Sequence, residues 1–237
     1  MRSIQDAVVL LTGADGGIGR ALLREYVNRG VYKIYAAGIS AVALNTLAAQ
    51  YPGIVVPVLL DVTDDAAIRS ASDRLTDVTM LVNNAGVELK ASFIGENVAQ
   101  KALFEMKVNY IGVISLINAF LPILRNNRPA SIVNILSVGS TAVIKRLGTY
   151  CASKSATHIL TQSIRAELQA ENIDVIGVYP GYVDTAMSAD IHFEKASPET
   201  LALHICNDFE AGAHDIFPDR MSAEFFTQSP ITITYLN

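Results

Sequence analysis

Short apolar runs rich in β-branched residues recur along the chain, and between them the apolar positions return every third or fourth residue. The first kind predicts strands at 7–13, 32–37, 54–60, 78–82, 131–136 and 173–179, with a short one at 214–217. The second predicts helices at 20–30, 42–50, 64–75, 96–124, 149–170 and 198–209. The strands are apolar on successive rather than alternate residues, as strands covered on both faces must be. Regular alternation of strand and helix predicts an α/β fold: a parallel, doubly wound sheet of about seven strands in a three-layer α/β/α arrangement. Residues 182–197 read as a loop with one or two short turns, and 221–237 carry no period. No repeat, linker or low-complexity segment interrupts the pattern, so 1–237 is expected to form a single domain.

The residues that close the strands narrow the chemistry. The first strand runs into Gly13-Ala14-Asp15-Gly16-Gly17-Ile18-Gly19 and then a helix. Such a turn lets backbone approach a pyrophosphate, while the helix amides supply partial positive charge. A dinucleotide at a Rossmann-type β-turn-α unit fits here, although a methyltransferase loop or an ordinary tight turn has a similar sequence. Arg20 follows Gly19 where a phosphate-binding NTPase loop needs lysine, which excludes that class. The fourth strand ends in Asn83-Asn84-Ala85-Gly86, suited to bracing loops against a ligand or to a simple asparagine turn. Asn109 falls within a helix, a poor position unless its amide is used. The fifth strand places Ser137 and Gly139 at its carboxyl end, where open α/β sheets bind ligands. In the next helix Tyr150 and Lys154 lie one turn apart on one face. Taken alone, that pair also reads as an interface aromatic and a solvated charge.

Composition removes several classes. A net charge of −5 without a basic run excludes a nucleic-acid surface and favours a small-molecule partner. The first residues show no apolar signal region, so the cytoplasm is the expected location. Cys151 and Cys206 form no metal-ligand cluster and are read as reduced thiols. The apolar run 110–124, broken by Asn118 and Pro122, is too short to span a bilayer and predicts a buried helix rather than a membrane contact.

In combination these residues resemble the short-chain dehydrogenases/reductases over nearly the whole chain. Thr12 to Gly19, Asp61, Asn83 to Gly86, Asn109, Ser137, Tyr150-x-x-x-Lys154 and Pro180-Gly181-Tyr182-Val183-Asp184-Thr185 occur in the family's order. The resemblance implies an NAD(P)-dependent oxidoreductase interconverting a secondary alcohol and a ketone. Gly13, Asp15, Gly16, Gly17, Ile18 and Gly19 would hold the pyrophosphate, Ile39 and Ser40 would lie by the ribose, and Asp61 with Val62 would contact the adenine. Asn83, Ala85 and Gly86 would line the adenosine side, and Pro180, Gly181, Val183 and Thr185 the nicotinamide side. Asn109, Ser137, Tyr150 and Lys154 match the family's catalytic tetrad, with Tyr150 and Lys154 also touching coenzyme and Asn109 supporting a water that links the lysine to solvent. Ser137, Val138, Val143, Tyr150, Tyr182, Met187 and His192 would line the substrate pocket, suggesting an apolar or aromatic substrate.

The chemistry is consistent with that reading. Interconverting an alcohol and a ketone needs one group that takes and gives a proton at the substrate oxygen. A phenol with a pKa of about 10 needs roughly 3–4 kcal/mol of anion stabilisation to serve as base near neutral pH, about what one cation at ~4 Å supplies at an effective dielectric of 20. Coenzyme choice is less marked. Members that use the phosphorylated coenzyme carry a basic residue where this chain has Gly16 or Ile39, and users of the other carry aspartate where it has Gly38. The charges lean toward NAD(H) over NADP(H). The apolar helices at 96–124 and 149–170 predict a homodimer or homotetramer. A catalytically idle nucleotide-binding regulator on the same fold is the alternative, and a methyltransferase leaves Ser137, Tyr150 and Lys154 unexplained.

Overall fold

The computed structural model describes residues 2–231. Its strands are β1 (Val8–Thr12), β2 (Lys33–Gly38), β3 (Val55–Leu59), β4 (Met80–Asn83), β5 (Ala130–Ile135), β6 (Ile173–Val178) and β7 (Asp215–Ile216). All pair in parallel, in the order β3-β2-β1-β4-β5-β6-β7. The helices are α1 (Gly17–Asn28), α2 (Ala41–Gln50), α3 (Asp65–Arg74), α4 (Val98–Met106), α5 (Gly112–Asn126), α6 (Gly148–Glu167), α7 (Pro198–Ala211) and α8 (Arg220–Gln228). The expected doubly wound Rossmann-type sheet of seven strands is therefore the one found.

Alternate strand residues supply two separate cores, which is why the strands read as continuously apolar. Val9 and Leu11 of β1, with Ile34, Val82, Val133 and Ile176, pack under α1, α2 and α7. Val8 and Leu10, with Tyr35, Leu81, Ile132 and Val175, pack under α3 and α5. Several of the helices start where a side chain meets their free amides. Ser40 caps α2 through Ala43 N, Asp64 caps α3 through Ala66 N and Ala67 N, and Ser197 caps α7 through Thr200 N.

Three features differ from the sequence reading. The predicted helix at 96–124 is α4, a π-helical turn at Lys107–Ile111 and α5, in one run Val98–Asn126. That run is long and apolar enough to cross a membrane by length and composition, but Leu116, Ile117, Phe120 and Leu124 are packed against the sheet. The tail read as aperiodic contains α8, capped reciprocally by Asp219 and Ser222, with Phe226 buried against Tyr179. The rest of that tail, 232–237, lies outside the described residues. Because β4 lies beside β1, the chain leaves the sheet in opposite directions from these two strands, and the crevice between their carboxyl ends is the topological switch point.

Candidate active site

At that crevice the turn after β1 is locked to the turn after β4. Thr12 Oγ1 accepts from Asn84 N at 3.0 Å and Ala85 N at 3.1 Å, and Asn84 Nδ2 donates to Thr12 O at 2.9 Å and Gly13 O at 3.0 Å. Gly13 has φ +61°, and a Cβ on Gly19 would stand 2.1 Å from Gly13 O, so the turn closes only on glycine. Gly16 is the N-cap of α1 and no side chain caps that helix, which leaves its first amides free for an anion.

The groove above this turn has a volume of about 490 Å³, within the range of roughly 300–1,000 Å³ usual for small-molecule and cofactor sites. Gly13, Asp15, Gly16, Gly17, Ile18 and Gly19 form one wall. Ile39, Asp61, Val62, Ala85, Gly86 and Thr185 line it too. Ser40 and Asn83 do not. The Ser40 hydroxyl is occupied as the α2 cap, and Asn83 is buried within β4, where its Nδ2 donates to Asn134 Oδ1 at 2.8 Å. Asn84 takes the position expected of Asn83. At the far end, Asp15 Oδ1 lies 2.7 Å from where a Cβ on Gly38 would stand, so the Asp15 carboxylate fills the space of the aspartate that β2 lacks.

A second, smaller cleft of about 110 Å³ adjoins the groove, sharing Ile18, Asn84, Gly86, Thr185 and Met187 with it. Ser137, Val138, Tyr150, Lys154, Tyr182 and Met187 line it, together with Pro180, Gly181 and Val183. Val143 does not: it is 92% exposed, and its neighbour Ile144 faces the cleft instead. His192 is also exposed and outside it. The irregular segment before α6 has no period from which the sequence could have chosen between Val143 and Ile144. Leu147, Glu88 and Met221 are lining residues that sequence reasoning missed. The only signal for Glu88 was a lone charge two residues beyond Gly86, and Met221 belongs to the tail that showed no period.

Ser137 and Lys154 are held from behind. Ser137 caps a short turn, with its Oγ accepting from Gly139 N at 3.1 Å, while Ser140 Oγ accepts from Ser137 N. Tyr150 and Lys154 are 8% and 6% exposed on the first turns of α6. Lys154 Nζ donates to Ile135 O at 2.8 Å and lies 5.8 Å from the centre of the Tyr150 ring. Asn109 is buried behind the cleft and does not line it. In the π-helical turn its Oδ1 accepts from Val87 N, and its Nδ2 donates to Val87 O and Ser153 Oγ, all at 2.9 Å. One helical turn earlier, the fully buried Glu105 accepts from Leu89 N at 2.7 Å, and its second carboxylate oxygen has no partner among the described residues. Asn109 and Glu105 thus pin alternate amides of the extended chain after Gly86.

Burial dominates the electrostatics. It pushes the Lys154 ammonium down to about 8. It also pushes the Tyr150 phenol well above its ordinary 10, helped by the negative charge of Glu88, while the Ser137 hydroxyl pulls the other way. Without an added positive charge, therefore, Tyr150 keeps its proton at neutral pH.

Residues 7–196 match a family model described as short chain dehydrogenase. The chain belongs to the short-chain dehydrogenase family. An uncharacterized oxidoreductase of Staphylococcus saprophyticus is 31% identical over 214 residues, which cover 85% of this chain and 90% of that one. The dehydrogenase/reductase SDR family member 7B of Xenopus tropicalis is 31% identical over 198 residues, covering 78% of this chain and 63% of that protein. A short chain dehydrogenase from Burkholderia cenocepacia, solved in complex with NADP, superposes with a TM-score of 0.89 at 32% identity and covers 95% of this chain and 93% of that one. This short-chain dehydrogenase is an oxidoreductase. Its groove also fits a nicotinamide dinucleotide on its own evidence: a glycine cradle that a Cβ would fill, free amides at the start of α1, and a reactive cleft sharing its wall.

Proposed function

We propose that the protein is an NAD(P)-dependent oxidoreductase that interconverts a small secondary alcohol and its ketone. The observation that carries this reading is the convergence of Ser137, Tyr150 and Lys154 on one cleft that opens into the glycine-lined groove. Gly13 to Gly19 with the α1 amides would hold the coenzyme phosphates, Asp61 and Val62 the adenine end, and Thr185 with Gly86 the nicotinamide end. When bound, the coenzyme supplies or accepts the hydride. The Ser137 hydroxyl donates a hydrogen bond to the substrate oxygen and fixes its direction. Tyr150 delivers the proton to that oxygen in reduction and removes it in oxidation. The phenol is protonated at neutral pH in the free protein, as the proton donor in reduction must be. The Lys154 ammonium stabilises the phenolate left after transfer.

The residues around the ribose end lean toward NAD(H), because the Asp15 carboxylate stands beside Gly38 and neither Gly16 nor Ile39 offers a positive charge. The NADP in the Burkholderia structure does not support that lean. A homodimer or homotetramer would cover Leu103, Phe104, Ile111 and Ile159, which are 46–72% exposed on α4, the π-helical turn and α6. Light scattering giving a monomer mass at micromolar concentration would remove that part of the reading.

Titration with NADH and NADPH, followed by nicotinamide fluorescence and then by turnover on a panel of small ketones and alcohols, tests the whole. Saturable binding of one coenzyme and turnover of a ketone are expected. Binding without turnover of any compound would point to a regulator, and binding of neither coenzyme would refute the reading.

A further inference from the structure

Glu88 is a charged group in the substrate cleft that the chemistry above does not use. Its side chain lines the cleft beside Tyr150, Tyr182 and Lys154, and the residue is half-buried. Its position is built rather than incidental. Asn109 holds Val87 and Glu105 holds Leu89 through their backbone amides, so the residue between them is fixed on the wall between the α4–α5 run and the cleft.

The positive charges of Lys90 and Arg146 act on the Glu88 carboxylate and favour its ionised form, although both side chains are paired with another residue. Lys90 and Arg146 pair with Asp190, which follows the lining residues Met187 and Ser188 in the chain. Among the described residues, no hydrogen bond or ion pair reaches the Glu88 carboxylate, and Asp190 and Glu105 add negative charge near it. A half-buried carboxylate with no donor on the protein keeps its acceptor capacity for a ligand, and a charge-assisted hydrogen bond formed in the cleft favours the ligand that donates it. Of the other lining residues, Val138, Ile144, Leu147 and Met187 are apolar, and Asn84, Tyr182, Thr185 and Ser188 are polar but uncharged, which leaves Glu88 as the carboxylate of the cleft wall.

We propose that Glu88 selects the substrate by accepting a hydrogen bond from a donor group, an ammonium or a hydroxyl, close to the reacting carbonyl. The preferred substrates are then small amino or hydroxy ketones and the corresponding alcohols, rather than purely apolar ketones. The proposal rests on the oxidoreductase reading and narrows it. It also revises the apolar or aromatic substrate expected from the sequence, because Glu88 puts a carboxylate in the cleft wall.

Aminoacetone, hydroxyacetone and butanone differ only in carrying an ammonium, a hydroxyl or a methyl group at one position, and they separate the two donors from each other and from neither. With the wild-type protein, kcat/KM for at least one donor ketone should exceed that for butanone by about tenfold or more, the value of one charge-assisted hydrogen bond. Glu88→Leu should abolish that preference. Glu88→Gln, which keeps an acceptor and loses the charge, should abolish a preference for the ammonium and retain part of one for the hydroxyl. No hydrogen bond holds the Glu88 side chain, so both variants should fold. Saturation-transfer NMR of the same compounds on coenzyme-bound protein reads the same contrast without turnover. If butanone were preferred by the wild type, or if Glu88→Leu left both the kinetic and the binding ratios within about twofold, the proposal would be overturned. Absence of turnover for every compound, with the binding contrast intact, would count against the oxidoreductase reading and leave Glu88 as the selecting residue.

Discussion

Burying Lys154 costs stability that the protein bears for the sake of its site, and the cost has a pH signature. Lys154 is 6% exposed with no carboxylate in hydrogen-bond contact, and burial moves its pKa from an ordinary 10.5 to about 8. Below 8 the ammonium is present in both folded and unfolded chains, and the folded state bears the full penalty. Between 8 and 10.5 the unfolded chain holds more protons than the folded one, so stability rises with pH through that window. That lowering corresponds to about 3 kcal/mol near pH 7, falling to about 1 kcal/mol near pH 9.5. Lys154→Met removes the titrating group and keeps most of the stem. Its loss of the hydrogen bond to Ile135 O is the same at every pH, the more distant thiols and phenols titrate equally in both proteins, and Tyr150, raised well above its ordinary value, stays protonated in both folded proteins across this range. Urea unfolding of the coenzyme-free proteins at the two pH values should therefore show the advantage of the Met variant shrinking by about 2 kcal/mol between near pH 7 and near pH 9.5. A gap that stays constant, or widens with pH, would show that Lys154 is not held as a buried ammonium.

Three further outcomes follow from contacts in the site. Asp15→Ser and Ile39→Arg should each move the ratio of kcat/KM for NADPH over NADH upward, by about tenfold or more, since one removes a carboxylate facing the ribose end and the other adds a phosphate partner; steady-state kinetics with both coenzymes checks this. Gly19→Ala places a Cβ against Gly13 O and Ala14 Cα, so it should cost about 1–3 kcal/mol in urea unfolding and weaken coenzyme binding by fluorescence titration. Glu88→Gln removes a negative charge that holds the Tyr150 phenol up, so the limb of the pH–rate profile that reports Tyr150 should move to lower pH.

Much of this was legible because the fold writes itself in period and punctuation. Strands buried on both faces, with glycine or asparagine at their ends, located the sheet and its ligand-binding edge, and the family resemblance singled out Ser137, Tyr150 and Lys154. What was not legible turned on which of two neighbours faces a site. Asn83 and Asn84 are chemically identical, but only the latter lies beyond the last β4 pairing, free to bridge to the glycine turn. Val143 and Ile144 differ by one position in a segment without regular structure. Ser40 could serve either a ribose or a helix cap, and the free amide of Ala43 decided it. The π-helical turn changes the hydrogen bonding around Asn109 without changing the composition, and α8 is too short for Phe225 and Phe226 to establish a period.

The central claim is that Tyr150 moves the proton, and Tyr150→Phe tests it most directly because the substitution removes one oxygen and nothing that holds the fold. Coenzyme affinity, read by nicotinamide fluorescence, should stay within about threefold of the wild type, while kcat on the best ketone should fall by the roughly 10²–10⁴-fold typical of a lost acid or base, or by more. A variant that kept more than about a tenth of the wild-type kcat would show that another group carries the proton.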